Sequence, residues 1–198
     1  VCDWDAGSLT LVYKVVGHGT EAMAAMKAGM ELDLLTGLGN GFDVELPAAS
    51  AAQQPLLAGG GVGTPPLYGL CKALLAKGQR PVVTLGFGTA ADAMLLEAFA
   101  ALGVPALAST LDGSLGVRGF VTDAIRQSGQ AFDYVYACGP EPMLRAVYGA
   151  LACDGQYSFE SRMACGFGAC MGCTCRTRYG DKRICKDGPV LQREEIVW

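Results

Sequence analysis

The residues best suited to chemistry are cysteines gathered near the end of the chain. Of nine cysteines, five lie between residues 165 and 185. The run from Cys165 to Cys173 reads Cys-Gly-Phe-Gly-Ala-Cys-Met-Gly-Cys, which is the pattern C-x4-C-x2-C. This is the spacing of the thiolate ligands in plant-type [2Fe–2S] proteins. The small residues between the cysteines would let the backbone wrap closely around iron and sulfide, with its N–H groups directed at the sulfurs.

A cluster of this type needs a fourth thiolate, and Cys175 and Cys185 are the two candidates. Cys175 follows Cys173 by two residues, so both side chains would point to the same side of an extended chain. Cys185 arrives separately, after a turn at residues 179–181, and we therefore treat Cys175 as a neighbour. The predicted ligands are Cys165, Cys170, Cys173 and Cys185. The alternative is a structural zinc site, which also takes four thiolates but is usually marked by two short knuckles.

A glycine-rich loop in the middle of the chain is typical of a dinucleotide site. Residues 59–67 read Gly-Gly-Gly-Val-Gly-Thr-Pro-Pro-Leu and stand between a predicted strand and a predicted helix. Thr64 suits the N-cap of that helix and Pro65 its first turn. A helix N-terminus preceded by free amides suits a pyrophosphate. The loop is not a strict G-x-G-x-x-G, since Thr64 stands at the last glycine, and a tight strand-to-helix turn is the alternative.

Two further loops strengthen the dinucleotide interpretation. Residues 138–143, Cys-Gly-Pro-Glu-Pro-Met, follow a strand that ends at Ala137, and residues 109–114 follow another. Ligands bind at the carboxyl ends of strands in open parallel sheets, where these loops would meet. The predicted contacts are Gly59, Gly60, Gly61, Val62, Gly63, Thr64, Cys138, Gly139, Pro140 and Met143. No Arg or Lys stands at Gly88 to pair a 2′-phosphate, which favours NAD over NADP, although no acid stands there for the ribose either.

These candidate sites must be positioned by the elements around them. Between residues 55 and 151 the sequence alternates predicted strands and helices, which indicates βαβ units and a parallel sheet. Before this, the pattern predicts strands at 9–15 and 31–35, a helix that Thr20 caps and Gly29 ends, and a linker at 48–54. After residue 152 no period is visible. The sequence thus divides into residues 1–46, an α/β unit at 47–152, and an irregular cysteine-bearing part at 153–198.

Composition excludes several classes of function. An apolar content of 51% with 17% charged residues indicates a folded core, not a disordered chain. The net charge of −4 and the lack of a basic run argue against a nucleic-acid partner. No apolar stretch reaches the roughly 18 residues of a membrane span. One cysteine cluster at the end of an enzyme-like body favours metal binding in the cytoplasm over a disulfide scaffold. The chain opens on Val1, and we expect further sequence before it.

Taken in order, these elements resemble the electron-transfer subunits of NAD-dependent dihydroorotate dehydrogenase, a family of ferredoxin-reductase-like flavoproteins. The resemblance covers the whole chain. Its most specific stretches are residues 160–170, Glu-Ser-Arg-Met-Ala-Cys-Gly-Phe-Gly-Ala-Cys, and 185–190, Cys-Lys-Asp-Gly-Pro-Val. It implies part of an FAD-binding β-barrel for residues 1–46, an NAD-binding domain for 47–152 and a [2Fe–2S] domain for 153–198.

The resemblance also implies a set of FAD contacts in the first part of the chain. It places a strand along FAD at Val12, Tyr13 and Lys14, a pyrophosphate turn at Gly19 and Thr20, and a loop closing the barrel at residues 37–42. Without it, Tyr13 would be read as a core aromatic, and His18 is read as a surface residue in either case. The family's Arg-Pro-x-Ser flavin motif is absent from residues 1–198, so we expect this chain by itself to bind FAD weakly.

The function implied by the resemblance is electron transfer in pyrimidine biosynthesis. A partner catalytic subunit oxidises dihydroorotate on FMN, and electrons pass through [2Fe–2S] and FAD to NAD⁺, in a heterotetramer. No catalytic residue is assigned to this chain, and the cluster loop is expected near the partner. One alternative is a related NAD(P)H-linked iron–sulfur flavoprotein reductase subunit, of the sulfide dehydrogenase or hydrogenase type. Another is a zinc-stapled nucleotide-binding regulatory module without a redox role.

Overall fold

The middle of the chain alternates strands and helices, and the computed structural model describes all of residues 1–198. The strands are β1 (Asp3–Trp4), β2 (Leu9–Thr10), β3 (Leu56–Gly60), β4 (Val82–Phe87), β5 (Leu107–Thr110), β6 (Val117–Arg118), β7 (Val135–Cys138), β8 (Gly155–Ser158), β9 (Thr174–Thr177), β10 (Gly180–Arg183) and β11 (Val190–Gln192). The α-helices are α1 (His18–Ala24), α2 (Pro47–Ala51), α3 (Thr64–Ala76), α4 (Leu96–Ala101), α5 (Val121–Ser128) and α6 (Glu141–Ala150). Single 3-10 turns lie at Gly61–Gly63, Ala90–Asp92 and Arg193–Glu195. None of the helices is long and apolar enough to cross a bilayer.

Seven of the strands form one sheet, in the order β11-β8-β7-β3-β4-β5-β6. All neighbours in it are parallel except β11, which runs antiparallel to β8. Every residue of β3 and β7 is buried, as expected of strands covered on both faces. From β3 the chain first builds β4, β5 and β6 on one side and then returns to build β7 and β8 on the other. The strand order therefore reverses between β3 and β7, and the predicted parallel α/β sheet is confirmed.

The core lies on both faces of this sheet because successive strand side chains point to opposite sides. On one face Leu57 belongs to a cluster with Leu67 and Leu74 of α3 and with Phe99 of α4. On the other, Leu56 belongs to a cluster with side chains of α5, α6, β8 and β11. The two layers of helices hold the strand ends, and the loops that follow them, in fixed positions.

The first 46 residues contain less regular structure than their alternating pattern predicts. The predicted strand at 9–15 is reduced to β2, which pairs only with β1, and the predicted strand at 31–35 does not form. A strand needs a neighbour for its N–H and C=O groups, and these residues find none. The helix predicted at Thr20 begins at His18 and ends before Gly29. Thr20 is inside it, and its hydroxyl oxygen accepts hydrogen bonds from the amides of Val16 and Gly17 at 2.9 and 3.2 Å.

Two other predictions about the elements need correction. Residues 48–54, predicted as a linker, include most of α2. The last part of the chain, where no period is visible, contributes β8 and β11 to the main sheet and folds β9 and β10 into a separate hairpin. These strands are only three or four residues long, too short for a period to be read. The cysteine segment is thereby anchored at both ends to the edge of the sheet.

Candidate functional site

The loop between β8 and β9 curls around the thiol of Cys165. The amide of Cys170 donates to Cys165 Sγ at 3.5 Å. The amides of Cys170, Phe167 and Ala169, together with the thiol of Cys170, lower the pKa of Cys165 to about 6. Converging N–H dipoles stabilise negative charge on sulfur, which is the state in which sulfur binds metal. This is the backbone arrangement expected around a cluster, and it joins Cys165 and Cys170 into a first pair.

A second pair is formed by Cys173, at the end of the same loop, and Cys185, just after β10. The amide of Cys185 donates to Cys173 Sγ at 3.4 Å and is the main reason that the pKa of Cys173 is lowered. The pKa of Cys185 is raised, first by its hydrogen bond to the Cys173 sulfur. Both side chains are buried together with Ile184. The backbone amide of Gly168 partly offsets the rise in the pKa of Cys185, so the second pair lies near the loop that holds the first.

Arg183 connects the two halves of the cysteine segment, and sequence reasoning did not single it out. Its Nη1 donates to the carbonyl oxygen of Gly168 at 2.9 Å, inside the loop of the first pair. Its Nε donates to Asp187 Oδ2 at 2.9 Å, beyond the second pair. The same guanidinium lowers the pKa of Asp187 to about 2. The only sequence signal is an Arg and an Asp that stand on either side of Cys185, two residues from it.

Cys175 lies in a different environment from the paired cysteines. It stands on β9, opposite Lys182 of β10. Its partly buried side chain packs against one main apolar cluster and against the small cluster of Cys173, Ile184 and Cys185. Burial raises the pKa of Cys175 above its ordinary value. A thiol in such surroundings behaves as a small hydrophobic group. Cys175 therefore lies next to Cys173 and Cys185, and its assignment as a neighbour of the ligands stays a prediction.

The four predicted ligands fit a binuclear cluster. The thiols form two pairs, Cys165 with Cys170 and Cys173 with Cys185. A [2Fe–2S] cluster takes four cysteine thiolates, two on each iron. Backbone at Gly166, Gly168 and Met171 has positive φ, and amides of the same loop are directed at the Cys165 sulfur. The donor set, the pairing and the amides all suit this group.

The second site lies where the strand order reverses, between the ends of β3 and β7. Here the loops after the two strands touch: a Cβ on Gly63 would come within 2.2 Å of the Cys138 carbonyl oxygen. One on Gly60 would meet the sulfur of Met143 at 2.3 Å. The crevice outside the carboxyl ends of strands at such a reversal is where open α/β sheets bind nucleotides. Only residues without a side chain allow the two loops to approach this closely.

A cavity of about 520 Å³ opens from this point along the carboxyl edge of the sheet. Four predicted residues line it, namely Gly60, Gly61, Pro140 and Met143. The other predicted residues, Gly59, Val62, Gly63, Thr64, Cys138 and Gly139, do not line it. Of these, all but Val62 are buried in the structure that supports the cavity, namely Gly59, Gly63, Thr64, Cys138 and Gly139. The size is that of a site for a cofactor or a drug-sized ligand.

Sequence reasoning missed one wall of the cavity. Gly119, Phe120, Val121 and Thr122, at the start of α5, line it opposite the glycine loop. Phe120 is two-thirds exposed, with 67% of its surface accessible, and supplies an aromatic face to the site. The available signal was a glycine and an aromatic residue immediately before a predicted helix, in the position where the other strand-to-helix loops gather.

The start of α3 differs from the prediction. A 3-10 turn over Gly61–Gly63 leads directly into the helix, so Gly63 is its N-cap and Thr64 its first residue. The Thr64 side chain is fully buried, and its Oγ1 has no hydrogen-bond partner. Thr64 therefore does not cap the helix.

An acid does stand at the end of β4, contrary to the sequence interpretation. Asp92 lies four residues beyond Gly88, but its Oδ2 accepts from the amide and the hydroxyl of Thr89, both at 2.9 Å. The carboxylate would also lie 2.9 Å from a Cβ on Gly88. Gly88 itself lines the cavity. A negative charge at this point disfavours a 2′-phosphate and agrees with the predicted preference for NAD.

The predicted FAD residues lie together on the first part of the chain, but without the predicted strand. Val12, Tyr13 and Lys14 are exposed and outside any regular element. Gly19 and Thr20 lie within α1, and Thr20 stabilises the turn that precedes it. His18 is a surface residue, as predicted, 3.4 Å from Glu21.

The structural comparison defines the class of protein. The chain superposes on a solved NADH-dependent reduced ferredoxin–NADP oxidoreductase, studied for flavin-based electron bifurcation, with a TM-score of 0.80 and 31% identity, over 94% of this chain and 67% of that one. A doubly wound nucleotide sheet carrying a cysteine segment that suits [2Fe–2S] defines an iron–sulfur reductase of the ferredoxin-reductase type.

Sequence comparison narrows this class to one family. Residues 160–197 match the model of the iron–sulfur cluster binding domain of dihydroorotate dehydrogenase B. The chain is 41% identical to the dihydroorotate dehydrogenase B (NAD⁺) electron transfer subunit of Fusobacterium nucleatum, over 95% of this chain and 74% of the relative. It is 44% identical to the subunit of the same name from Bacillus cereus, over 98% of this chain and 76% of the relative. The chain belongs to the family of electron transfer subunits of dihydroorotate dehydrogenase B.

Proposed function

We propose that the chain passes electrons between a dihydroorotate-oxidising partner subunit and NAD⁺, in pyrimidine biosynthesis. The observation that carries the proposal is the joining, in one chain, of two thiol pairs suited to [2Fe–2S] and a dinucleotide crevice at the strand-order reversal. The names of the relatives support it, since they describe NAD⁺-dependent electron transfer subunits of dihydroorotate dehydrogenase.

When bound, [2Fe–2S] carries single electrons and FAD collects two for delivery to NAD⁺ as a hydride. The chain's own residues supply placement and charge. The amides of residues 167, 169 and 170 stabilise thiolate at Cys165, and the amide of Cys185 does so at Cys173. Gly60 and Gly61 admit the dinucleotide to the crevice, and Met143 and Phe120 bound the space beside it. We assign FAD to the segment containing Val12, Tyr13, Lys14, Gly19 and Thr20, as the family resemblance implies.

The partner subunit is expected to bind at the cluster loop. Met163, Phe167 and Met171 are large apolar side chains in or beside the loop, each 47–55% exposed. Exposed apolar groups that cover a redox centre suit a protein interface that excludes water from the path between centres. The loop is held from beneath by Arg183, so the apolar side chains are presented on a fixed backbone.

We propose that the partner holds FMN, oxidises dihydroorotate and joins this chain in a heterotetramer. We place the complex in the cytoplasm, since paired free thiols for a cluster require a reducing compartment. We divide the chain into flavin, dinucleotide and cluster parts at residues 1–46, 47–152 and 153–198. The family resemblance supports this division by function, while β8 and β11 of the last part complete the sheet of the second part.

The experiment is a reconstitution with the partner subunit. The subunit, loaded with its cofactors, should oxidise NADH with an artificial dye, and it should leave dihydroorotate untouched until the FMN subunit is added. The mixture should then reduce NAD⁺ with dihydroorotate. Dihydroorotate oxidation by the electron transfer subunit without its partner would overturn the assignment, as would a mixture that never couples the two reactions.

A second candidate is a subunit that exchanges electrons with a carrier protein or a small inorganic donor instead. The structural similarity to a ferredoxin–NADP oxidoreductase favours it. The same preparation distinguishes the two, because rapid reduction of ferredoxin or sulfide turnover without coupling to dihydroorotate would select the second candidate.

A further inference from the structure

The single asparagine of the chain, Asn40, reaches across to the cysteine segment. Its backbone amide donates to the carbonyl oxygen of Gly188 at 2.6 Å. Its side-chain Oδ1 accepts from the amide of Val190, and its Nδ2 donates to the carbonyl of Val190, both at 2.9 Å. The same Nδ2 lies 3.5 Å from the carbonyl of Asp187. One residue thus engages three backbone positions about 150 residues further along the chain.

Gly39 brings this contact directly against Cys185. Its φ is 61°, a left-handed conformation that favours glycine. A Cβ there would lie 2.3 Å from the carbonyl oxygen of Gly188 and 3.3 Å from that of Cys185. The loop at residues 39–40 therefore rests on the backbone of a predicted cluster ligand, with no space for a side chain between them.

The backbone that Asn40 holds is a tight turn with Cys185 inside it. The amides of Lys186, Asp187 and Gly188 all donate to the carbonyl of Arg183, at 3.0, 2.7 and 3.2 Å. Only 5% of Cys185 is exposed, and its amide donates to Cys173 Sγ. Because the turn is closed at Arg183, a displacement at Gly188 also displaces the Cys185 sulfur.

We propose that Asn40 is a positioning residue that fixes the Cys185 turn, and through it the second thiol pair, against the N-terminal segment. The proposal rests on the proposed cluster. An amide is suited to this role because it offers one acceptor to the Val190 N–H and one donor to the Val190 C=O, as a neighbouring strand would. Asn40 also ties the segment proposed to hold FAD to the segment proposed to hold the cluster, so it sets the relation between the two centres.

The test compares the full chain, carrying its cluster, with Asn40→Ala and Asn40→Asp. The control is Gln53→Ala, which removes an exposed amide whose only side-chain bond is local, to Ala51. Iron release to a chelator, followed by loss of visible absorbance, should become about tenfold faster in Asn40→Ala, as for the loss of a group that orients a metal ligand. Asn40→Asp, which keeps the acceptor, should fall between Asn40→Ala and the unchanged chain. The electron paramagnetic resonance spectrum of the reduced cluster should shift, whereas NADH binding should not.

The outcomes separate this proposal from the proposed function. Suppose that the unchanged chain contains iron and sulfide, and that both Asn40 variants match Gln53→Ala in iron-release rate and spectrum. This result would overturn the role of Asn40 and leave the proposed function standing. Absence of iron and sulfide from the unchanged chain would overturn the function itself. If Asn40→Ala does not fold, the isosteric Asn40→Asp decides by the same two measurements.

Discussion

At the scale of single residues, two thiol pairs and the guanidinium of Arg183 organise the cysteine segment. The C-x4-C-x2-C run fixed which thiols to consider, and the structure pairs Cys165 with Cys170 and surrounds Cys165 with amides. Arg183 could not be predicted, because its role depends on the carbonyl of Gly168, which only the folded loop brings near. The acid at the end of β4 was missed for a similar reason, since a 3-10 turn returns Asp92 to the strand end.

The choice of Cys185 over Cys175 as the fourth ligand is tested by replacing each of the two with alanine in turn. Cys185→Ala should abolish the cluster, because Cys185 is paired with Cys173, whereas Cys175→Ala should retain it, because that thiol packs among apolar side chains. Iron content and visible absorbance of the purified variants provide the measurement. A stable cluster in Cys185→Ala together with its loss in Cys175→Ala would reverse the assignment.

At the scale of elements, the sequence predicted the dinucleotide unit well and the flanking parts poorly. The alternation of strand and helix is visible between residues 55 and 151 because β3 and β7 are buried on both faces and bounded by helices. The strand predictions for the N-terminal part were wrong because an alternating pattern indicates which side chains share a face, but not whether a neighbouring strand is present to pair with. The short strands β8 and β11 escaped detection, although both complete the sheet.

The contact between the two loops at the strand-order reversal is tested by Gly63→Ala. The new methyl group would meet the Cys138 carbonyl at 2.2 Å, so the start of α3 must move away from β7. We expect a loss of stability of about 1–3 kcal/mol, as for overpacking, and several-fold weaker NADH binding. Gly149→Ala is the control, since its Cβ meets nothing within 4 Å, and it should be neutral or stabilising in α6. Equal NADH affinity in both variants would remove the loop contact from the site.

We attribute the preference for NAD over NADP to the residues that follow β4. NADH should reduce the centres of the flavin-loaded protein faster than NADPH at equal concentration, because no cation stands at Gly88 and Asp92 is adjacent. Gly88→Arg alone would pair with Asp92, whereas Gly88→Arg with Asp92→Asn frees the guanidinium for a 2′-phosphate. The double variant should narrow the difference between the rates with NADH and NADPH more than Gly88→Arg alone does. Equal rates with both nucleotides in the unchanged protein would contradict the argument.

At the scale of the whole molecule, the cysteine segment and the dinucleotide crevice are separate in sequence but are both attached to the seven-stranded sheet. The cysteine segment lies between β8 and β11, which form one edge of the sheet. The crevice opens at the carboxyl ends of the central strands of the same sheet. Asn40 and Gly39 add a link from the N-terminal segment to the Cys185 turn. No sequence pattern predicts this link, since the residues that it joins lie about 150 positions apart.

Substitutions on the surface of the cluster loop test whether electrons pass through this loop on their way between the partner subunit and NAD⁺. Phe167→Ala should weaken dihydroorotate-dependent NAD⁺ reduction more than NADH-dependent dye reduction, because dye takes electrons from FAD directly while the coupled path crosses the cluster and the interface. Met171→Ala should act in the same direction. Tyr179→Ala is the control, an aromatic residue 72% exposed at the turn between β9 and β10. Equal losses in both assays would place the loop off the path between the flavins.

The central claim is that this chain holds a redox cluster, and elemental analysis of the purified protein tests it most directly. Iron and acid-labile sulfide should each be present at about two per chain, with an electron paramagnetic resonance signal that develops on reduction, as a [2Fe–2S] centre on four thiolates requires. One equivalent of zinc, with no sulfide and no signal on reduction, would contradict the account and leave a zinc-stapled nucleotide-binding module in its place.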